Sequence, residues 1–464
     1  MMLRIAFRSI FRNTRRSIMT VLTIVIGAAA MLIFGAYAQY DLYLLQTGAV
    51  QRTGHLQVTR TGFFDFGSGD PAAWGMDDYA SVMRLLKDDA VLAPMIAVAT
   101  PAQFLTGIAE NPANGKSKTY FATGFVPSDL AEMKRWDEYN TRAGGDTTVL
   151  SDGDPAIATI GFSFARTLGM CESLHLQGCP KPPKPASDRA AEMAALPAQD
   201  FSAMTGTDGL ATKAQAGPPS LNLLASTAGG APNIVTVRIP HIEVQGAREM
   251  DDNYVQLNLA EAQQLVYGRG AHKISAIMLQ LHRSEDTPRA IARVRALIAE
   301  HHLDLETHDY NEINSYVGQS EAFFVAVFSF IAVIIGVVVL FTISNAMSMS
   351  VVERTDEIGT TRALGVRRSL IRRQFLLEGA LLGVIGATLG VLAAFAVTGL
   401  VNNSGLTWIP PGDAHPIPLK LYLLDATGML LTVWIVLVAV ATLAALLPAN
   451  RAARLPIVDA LRHV

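Results

Sequence analysis

Charge is scarce in this chain of 464 residues. Only 17% of the residues are Asp, Glu, Lys or Arg, and 50% are hydrophobic. The net charge of −3 is too small to indicate a nucleic-acid partner. This mixture suits neither a purely soluble enzyme nor an all-membrane bundle. It predicts a few membrane-spanning helices joined to one sizeable water-soluble domain.

Cysteine is nearly absent, since the chain holds only Cys171 and Cys179. A structural zinc site normally takes four ligands, and only His175 stands near this pair as a third, so we expect no metal site there. If the two cysteines lie in an oxidising compartment, a disulfide closing this short loop is the favoured interpretation.

Catalytic motifs are missing as well. We find no convincing G-x-S-x-G, H-E-x-x-H or dinucleotide-binding pattern. The stretch Gly115–Ser117 resembles the end of a phosphate-binding loop, but Glu110 stands where that loop needs its first glycine. We therefore predict that the chain has no catalytic residues and binds no cofactor or metal ion.

Long apolar runs are the strongest positive feature. Four stretches reach the roughly 20 residues that cross a bilayer: Ile18–Ala38, Ala322–Ser344, Phe375–Val401 and Thr427–Leu447. They are too apolar all round to be amphipathic surface helices, so they predict four transmembrane helices. The third carries an acid near its start, Glu378, for which Arg372 or Arg373 is the expected ion-pair partner.

Arginine placement predicts the orientation of these helices. The arginines cluster before the first apolar run, between the second and third, and after the fourth, whereas the loop between the third and fourth offers only Lys420. We therefore expect cytoplasmic segments over 1–17 (an amphipathic opening helix), 345–374 and 448–464. The predicted fold is an α-helical membrane protein with four transmembrane helices plus a mixed α/β extracytoplasmic domain at 39–321, inserted between helices 1 and 2. A small external loop is expected over 402–426.

The inserted domain shows alternating strand and helix patterns. Strand-prone runs are His55–Thr59, Met95–Thr100, Tyr120–Val126, Asn233–Val244, Tyr254–Leu259 and Ile274–Leu281, and helical patterns cover Asp78–Lys87, Leu259–Val266 and Pro288–Glu300. Their arrangement favours two subdomains built from discontinuous segments. Between them, about 180–232 is rich in Pro, Ala, Gly, Ser and Thr and predicts a flexible insertion.

The segment after the second apolar run carries a local pattern of its own. The second helix is expected to continue to about Glu353, and a short helix should follow over Asp356–Leu364. Gly365 is well placed to end that helix. By charge alone, a solvated positive loop is the simpler interpretation.

The stretch ERTDEIGTTRALG (353–365) resembles the cytoplasmic signature of the FtsX-like permease superfamily, which includes macrolide-exporter-type (MacB-like) and lipoprotein-releasing permeases. The ending Pro448–Arg462 and the opening Arg8–Gly27 are similar to that family's termini. The resemblance implies that the short helix is a coupling helix that docks on an ATPase. The residues it assigns to docking are Glu353, Arg354, Glu357, Ile358, Gly359, Arg362, Ala363, Leu364 and Gly365.

The resemblance implies that this chain is the permease subunit of an ABC transporter in a bacterial inner membrane. ATP would be hydrolysed by a separate ATPase subunit in two copies, and a second permease copy or paralogue would complete the assembly. Movement passed to periplasmic domains (mechanotransmission) would export or extract a lipoprotein or other amphipathic cargo. The alternatives are a relay that activates a periplasmic cell-wall hydrolase, a drug or peptide efflux permease, and a membrane anchor without any ATPase. Membrane lipid and a periplasmic cargo or accessory protein are the remaining expected partners.

Four glycines share one face of the third apolar helix. Gly379, Gly383, Gly386 and Gly390 follow one another at spacings of four, three and four residues. Small residues let helix backbones approach closely in lipid, where no hydrophobic force drives association. We expect a helix–helix contact here, with a dimer interface as one option.

Overall fold

The computed structural model describes residues 14–67, 69–141, 150–176, 219–243, 248–270, 272–409, 416–424 and 426–456. They form two compact units. The helical unit holds the described residues up to Gln46, Asn314–Trp408 and the described residues from Pro416 onward. The α/β unit holds the described residues of Thr47–Ile313 together with Ile409.

Thirteen α-helices and eleven strands make up the described parts of the two units. The α-helices are α1 (Thr14–Thr53), α2 (Tyr79–Asp88), α3 (Pro127–Arg135), α4 (Phe162–Thr167), α5 (Arg248–Asp251), α6 (Leu259–Tyr267), α7 (Thr287–Glu300), α8 (Tyr310–Ile313), α9 (Ser315–Glu353), α10 (Thr355–Ala363), α11 (Arg368–Ser404), α12 (Thr427–Ala444) and α13 (Leu446–Arg454). The strands are β1 (Leu56–Arg60), β2 (Ile96–Asn111), β3 (Lys116–Phe125), β4 (Ile157–Ile160), β5 (Ser220–Ser226), β6 (Pro232–Ile242), β7 (Tyr254–Asn258), β8 (Ala276–Leu281), β9 (Leu305–Asp309), β10 (Thr407–Trp408) and β11 (Ile417–Pro418). Short π and 3-10 turns cover Phe63–Gly67, Pro71–Trp74 and Ser284–Asp286.

Four helices of the described chain are long and apolar enough to cross a membrane: Thr14–Thr53, Tyr316–Glu353, Arg368–Ser404 and Thr427–Arg454. They contain the four predicted apolar runs, and each helix continues past its run because a helix does not end where its side chains become polar. Their shared core is aliphatic and includes Ile24, Leu32, Val339, Leu382 and Leu437, each at most 5% exposed. The predicted opening residues 1–13 lie outside the described residues, as do Leu461 and Arg462 of the predicted tail.

The sheet of the α/β unit closes on itself over part of its width. The strand order is β3-β7-β4-β6-β5-β2-β8-β1-β9, and β3 also pairs with β2. This additional pairing joins β2, β3, β7, β4, β6 and β5 into a closed circuit of six strands. The remaining three strands extend from the first half of β2, whose Ile96–Ala102 pairs antiparallel with β8.

One long strand therefore serves two parts of this unit. β2 has 16 residues, about three times the usual strand length, and its second half pairs with β3 and β5. The predicted division into two subdomains is thus wrong in one respect, since the two sets of strands share β2 and make one sheet. The closed part is filled by apolar side chains such as Leu223, Val237 and Leu257, against which the buried face of α6 packs.

The insertion predicted over about 180–232 extends too far toward the C-terminus. β5 occupies Ser220–Ser226 and pairs with β6 in register from Ser220↔Arg238 to Ser226↔Pro232. Its inward residues Leu221, Leu223 and Ala225 alternate with less buried neighbours, a two-residue period that the small-residue composition concealed. Residues 177–218 lie outside the described part of the chain.

The remaining local predictions for the α/β unit are confirmed. The strand-prone runs contain the greater part of β1, β3, β6, β7 and β8, whereas Met95–Thr100 covers only the beginning of β2. The three helical patterns become α2, α6 and α7. The phosphate-loop lookalike instead forms the turn between β2 and β3, where Gly115 has a φ of +68°.

His55 lies immediately before β1 and is fully buried. Its Nδ1 accepts the Leu281 backbone N–H at 2.9 Å, which places the ring proton on Nε2, 3.1 Å from Ser284 Oγ. The ring lies edge-on to Trp136, with ring centroids 4.9 Å apart. Burial lowers the pKa of His55 to about 3. A second ring proton would face the Leu281 N–H, so the folded unit requires the neutral ring.

Acid should therefore destabilise the α/β unit through His55. The unfolded chain binds a proton near pH 6.5 and the folded unit does not until about pH 3, so this contribution is complete above pH 6.5 and is lost as pH falls. Between pH 7 and pH 5 the loss should be about 2 kcal/mol, read as a lower Tm of the full chain in detergent. His55→Gln should flatten this pH dependence, whereas His272→Gln, at an exposed position, should leave it unchanged. If the Tm of wild type and of His55→Gln fell equally with decreasing pH, this assignment would be wrong.

Candidate functional site

α10 is a short helix held between two long ones. α9 ends at Glu353, a single non-helical residue follows, and α10 begins at Thr355. Asp356 and Glu357 lie in its first turn and Arg362 in its last, which suits the helix dipole at both ends. Gly365, with a φ of +87°, ends the helix, whose last residue is Ala363. The predicted extent of α9, the short helix and its glycine stop are thus confirmed.

The residue between α9 and α10, Arg354, forms a buried ion pair. Its Nη1 donates to Glu378 on α11 at 3.1 Å, and the two residues are only 8% and 3% exposed. The predicted partners of Glu378, Arg372 and Arg373, were wrong. Helical periodicity explains this, because Glu378 shares the buried face of α11 with Ile371 and Phe375 while both arginines lie on its exposed side.

A second ion pair joins the start of α1 to the end of α9. Arg16 donates to both carboxylate oxygens of Glu353, at 3.0 and 2.7 Å. Both side chains are about one third exposed, so water weakens this contact. The bidentate geometry nevertheless fixes the two helix ends side by side.

Arg362 binds the end of α13 rather than an acid. Its Nη1 donates to the carbonyl oxygens of Ala453 and Leu455, at 3.2 and 2.8 Å. Carbonyls at a helix C-terminus lack intrahelical partners and carry partial negative charge, so a guanidinium is well suited to them. The last turn of α10 is thereby tied to the C-terminal helix.

The predicted docking residues separate into an inner and an outer group. Glu353, Arg354 and Arg362 make the contacts above, and Ile358, only 6% exposed, is buried beside Gly359. The outer group contains Glu357, Ala363, Gly365 and Leu364, of which Leu364 is 81% exposed. α10 therefore has one face packed into the helical unit and one face open.

The four glycines of α11 make contacts within this chain. A Cβ on Gly379 would lie 2.6 Å from Ala445 Cβ, and one on Gly383 would lie 2.7 Å from Ala441 Cβ. On the other half of the stripe, a Cβ on Gly386 would lie 2.6 Å from Ile24 Cβ, and Gly390 faces Ala28. The helix–helix contact expected from the spacing is therefore present. The option of a dimer interface is wrong for these positions, because α1, α12 and Ala445 already fill them.

Sequence reasoning missed two partners in this region. Arg16 entered it only as an orientation signal, and the carbonyls of Ala453 and Leu455 have no sequence signature at all. Glu353, the acid at the end of the long apolar helix α9, would have been the usable signal for Arg16.

The predicted disulfide is not tested, because Cys179 lies outside the described residues. Among the described residues there is no group of three or more His, Cys, Asp and Glu side chains that could hold a metal ion.

Part of this chain is similar in sequence to known proteins. Residues 326–457, which run from within α9 past α13, match the family described as FtsX-like permease C-terminal. The ABC transporter permease YtrF of Bacillus subtilis is 35% identical over 136 residues, covering 29% of this chain and 30% of that protein. The macrolide export ATP-binding/permease protein MacB of Bordetella avium is 34% identical over 137 residues, covering 29% of this chain and 21% of MacB.

A further Bacillus subtilis protein, the uncharacterized ABC transporter permease YvrN, is 40% identical over 121 residues, which is 26% of each chain. Each match thus spans less than a third of the relative concerned. The family match includes α10 and the glycine face of α11, and it does not reach Thr47–Ile313 of the α/β unit. The signature at 353–365 lies inside the matched region, so this part of the chain is similar to FtsX-like permeases.

Proposed function

We propose that this chain is the permease subunit of an ABC transporter and couples a separate ATPase to movement of its α/β unit. The observation that carries the proposal is the two-sided packing of α10. Its inner face is buried at Ile358 and tied to the end of α13 by Arg362. The two residues just before it join α9 to α1 and α11 through Arg16–Glu353 and Arg354–Glu378, while Leu364 at its other end is exposed. A force applied to that outer face would reach every span.

The proposed orientation places α10 and α13 in the cytoplasm and the α/β unit on the outer side of a bacterial inner membrane. The arginine distribution supports it. Aromatic contacts support it from the opposite end of the helices, where Tyr37 lies 5.6 Å from Trp408 and Tyr40 lies 5.1 Å from Tyr422 between ring centroids. Tyr and Trp concentrate at membrane–water interfaces, and these residues would mark the outer one.

A second permease copy or paralogue is proposed to pack on α9. Within the apolar 18-residue stretch of this helix, only 6% is buried inside the chain, against 39%, 33% and 28% for the corresponding stretches of the other three long helices. Apolar surface of this kind is satisfied by lipid or by another helix, and two ATPase copies would call for two permeases. The glycine face of α11 is not available for that contact.

For the cargo, we propose a molecule with an apolar part, such as a lipoprotein. Ile108, Leu224 and Ile234 lie in one cross-strand register on the outer side of the closed sheet, and Ile108 and Ile234 are 44% and 61% exposed. Phe121 on the adjacent strand is 44% exposed. An apolar row on a water-facing sheet is typical of a binding surface.

ATPase docking is tested at Leu364. Leu364→Glu should lower the amount of ATPase that co-purifies with the tagged full chain in mild detergent by about tenfold, since it places a charge in the centre of an apolar contact. The side chain is 81% exposed, so the chain itself should fold normally. This variant is preferable to Arg362→Ala, which would also release the end of α13.

The matched control is Phe66→Glu, the same change at a residue of the α/β unit that is 75% exposed. It should recover as much ATPase as the wild type does. Absence of any ATPase with wild type in several mild detergents would refute the ABC proposal and favour a membrane anchor. Equal recovery with Leu364→Glu would instead move the docking surface away from α10.

A further inference from the structure

Arg354 is the single residue between two helices, and its backbone is helical in neither. Its φ of −114° and ψ of 18° interrupt the helix between Glu353 and Thr355. Motion of α10 relative to α9 must therefore bend the chain at this residue. The side chain of the same residue is almost completely buried and committed to α11.

Glu378 receives Arg354 well inside α11. It lies ten residues after the start of that helix at Arg368, which is about 15 Å along the helix axis. The contact therefore attaches the bend to the body of the third long helix rather than to its frayed end. Both partners are nearly out of reach of water, with side-chain exposures of 9% and 4%.

Stability alone does not account for a buried ion pair at this position. Removing two charges from water costs about as much as their attraction returns, and apolar side chains of similar volume are often as stable or better. Exposed arginines stand nearer to Glu378 in sequence, on the solvated side of α11. A buried ion pair forms a directional bond that resists sliding of one helix along another, and an apolar contact does not.

We propose that Arg354 and Glu378 are positioning residues that lock the α9–α10 bend to α11, so that displacement of α10 moves the spans instead of bending the chain at Arg354. This inference rests on the proposed function, in which an ATPase supplies that displacement. Ile358 and Arg362 hold the remainder of α10 against the helical unit. The Arg354–Glu378 pair acts at the bend itself.

The test compares three forms of the full chain in lipid nanodiscs with its ATPase. Arg354→Met alone leaves a buried carboxylate without its partner and endangers folding, so the informative variants are Arg354→Met/Glu378→Met and the swap Arg354→Glu/Glu378→Arg. The apolar pair should fold, bind ATPase and hydrolyse ATP. Its ATP-dependent change in hydrogen exchange over the α/β unit should fall about tenfold, and the swap should restore at least half of that change.

Arg372→Met/Arg373→Met is the control, since it removes two arginines from the same end of α11 without touching the pair, and it should couple as wild type does. The inference would be overturned if the apolar pair kept the full ATP-dependent change in hydrogen exchange over the α/β unit, or if the swap did not restore that change.

A readout without ATPase separates this inference from the proposed function. In the chain alone, the apolar pair should raise hydrogen exchange of α10 about tenfold while α11 stays protected. Unchanged exchange of α10 overturns the inference, whereas failure of wild type to bind any ATPase refutes only the proposed function.

Discussion

Replacing Gly383 and Gly390 with valine should lower the stability of the helical unit by about 2–6 kcal/mol in total. A Cβ on Gly383 would meet Val438 Cα at 3.2 Å as well as Ala441, and one on Gly390 would lie 3.1 Å from the Val25 carbonyl oxygen. These neighbours are backbone or alanine atoms, which cannot move aside as the end of a flexible side chain can. The helices themselves must separate, with loss of packing in lipid. Thermal unfolding of the purified full chain measures the effect.

Gly399 provides the matched control on the same helix. Nothing lies within 4 Å of a Cβ at this position, so Gly399→Val should leave the Tm within experimental error. Each single variant should cost about half of the double, because Gly383 faces α12 and Gly390 faces α1. If Gly383→Val and Gly399→Val melted alike, the close approach of α11 and α12 would be wrong.

Asp251→Ala should destabilise the α/β unit by about 3 kcal/mol. The carboxylate is fully buried and accepts the backbone N–H groups of Phe162 and Ser163, at 3.0 and 2.6 Å. These are the first amides of α4, and Gly161, which precedes them, has no side chain to cap the helix. Alanine would leave buried donors without an acceptor at the positive end of the helix dipole.

Asp252→Ala is the neighbouring control. Asp252 is partly exposed and its carboxylate forms a long ion pair with Lys118, at 3.8 Å, so its loss should cost less than about 0.5 kcal/mol. Hydrogen exchange of α4 in the full chain distinguishes the two, since only Asp251→Ala should release its amides. Equal protection of α4 in both variants would show that water or another group replaces the carboxylate.

Local features of the functional region could be predicted because they depend on neighbouring residues. The end of α9 at Glu353, the extent of α10 and the stop at Gly365 follow from short-range pattern and turn chemistry. Which residues of α10 face inward could not be predicted. Ile358 and Gly359 are buried because α10 lies against other helices, and the nine-residue helix has too weak an amphipathic pattern to reveal that face.

The apolar runs by themselves determined the four long helices of the described chain. About 20 apolar residues in succession are stable away from water only as a helix, which pairs its own backbone groups. Alternating patterns likewise determined most strands of the insert. Three choices depended on the tertiary structure: that Glu378 pairs with Arg354, that β3 closes on β2, and that Asp251 caps α4. For each of these contacts, the sequence nearby offers other residues of the same charge or apolar character that could have made it. Periodicity states only which side of an element is buried, and the selection among partners is made by what packs against that side.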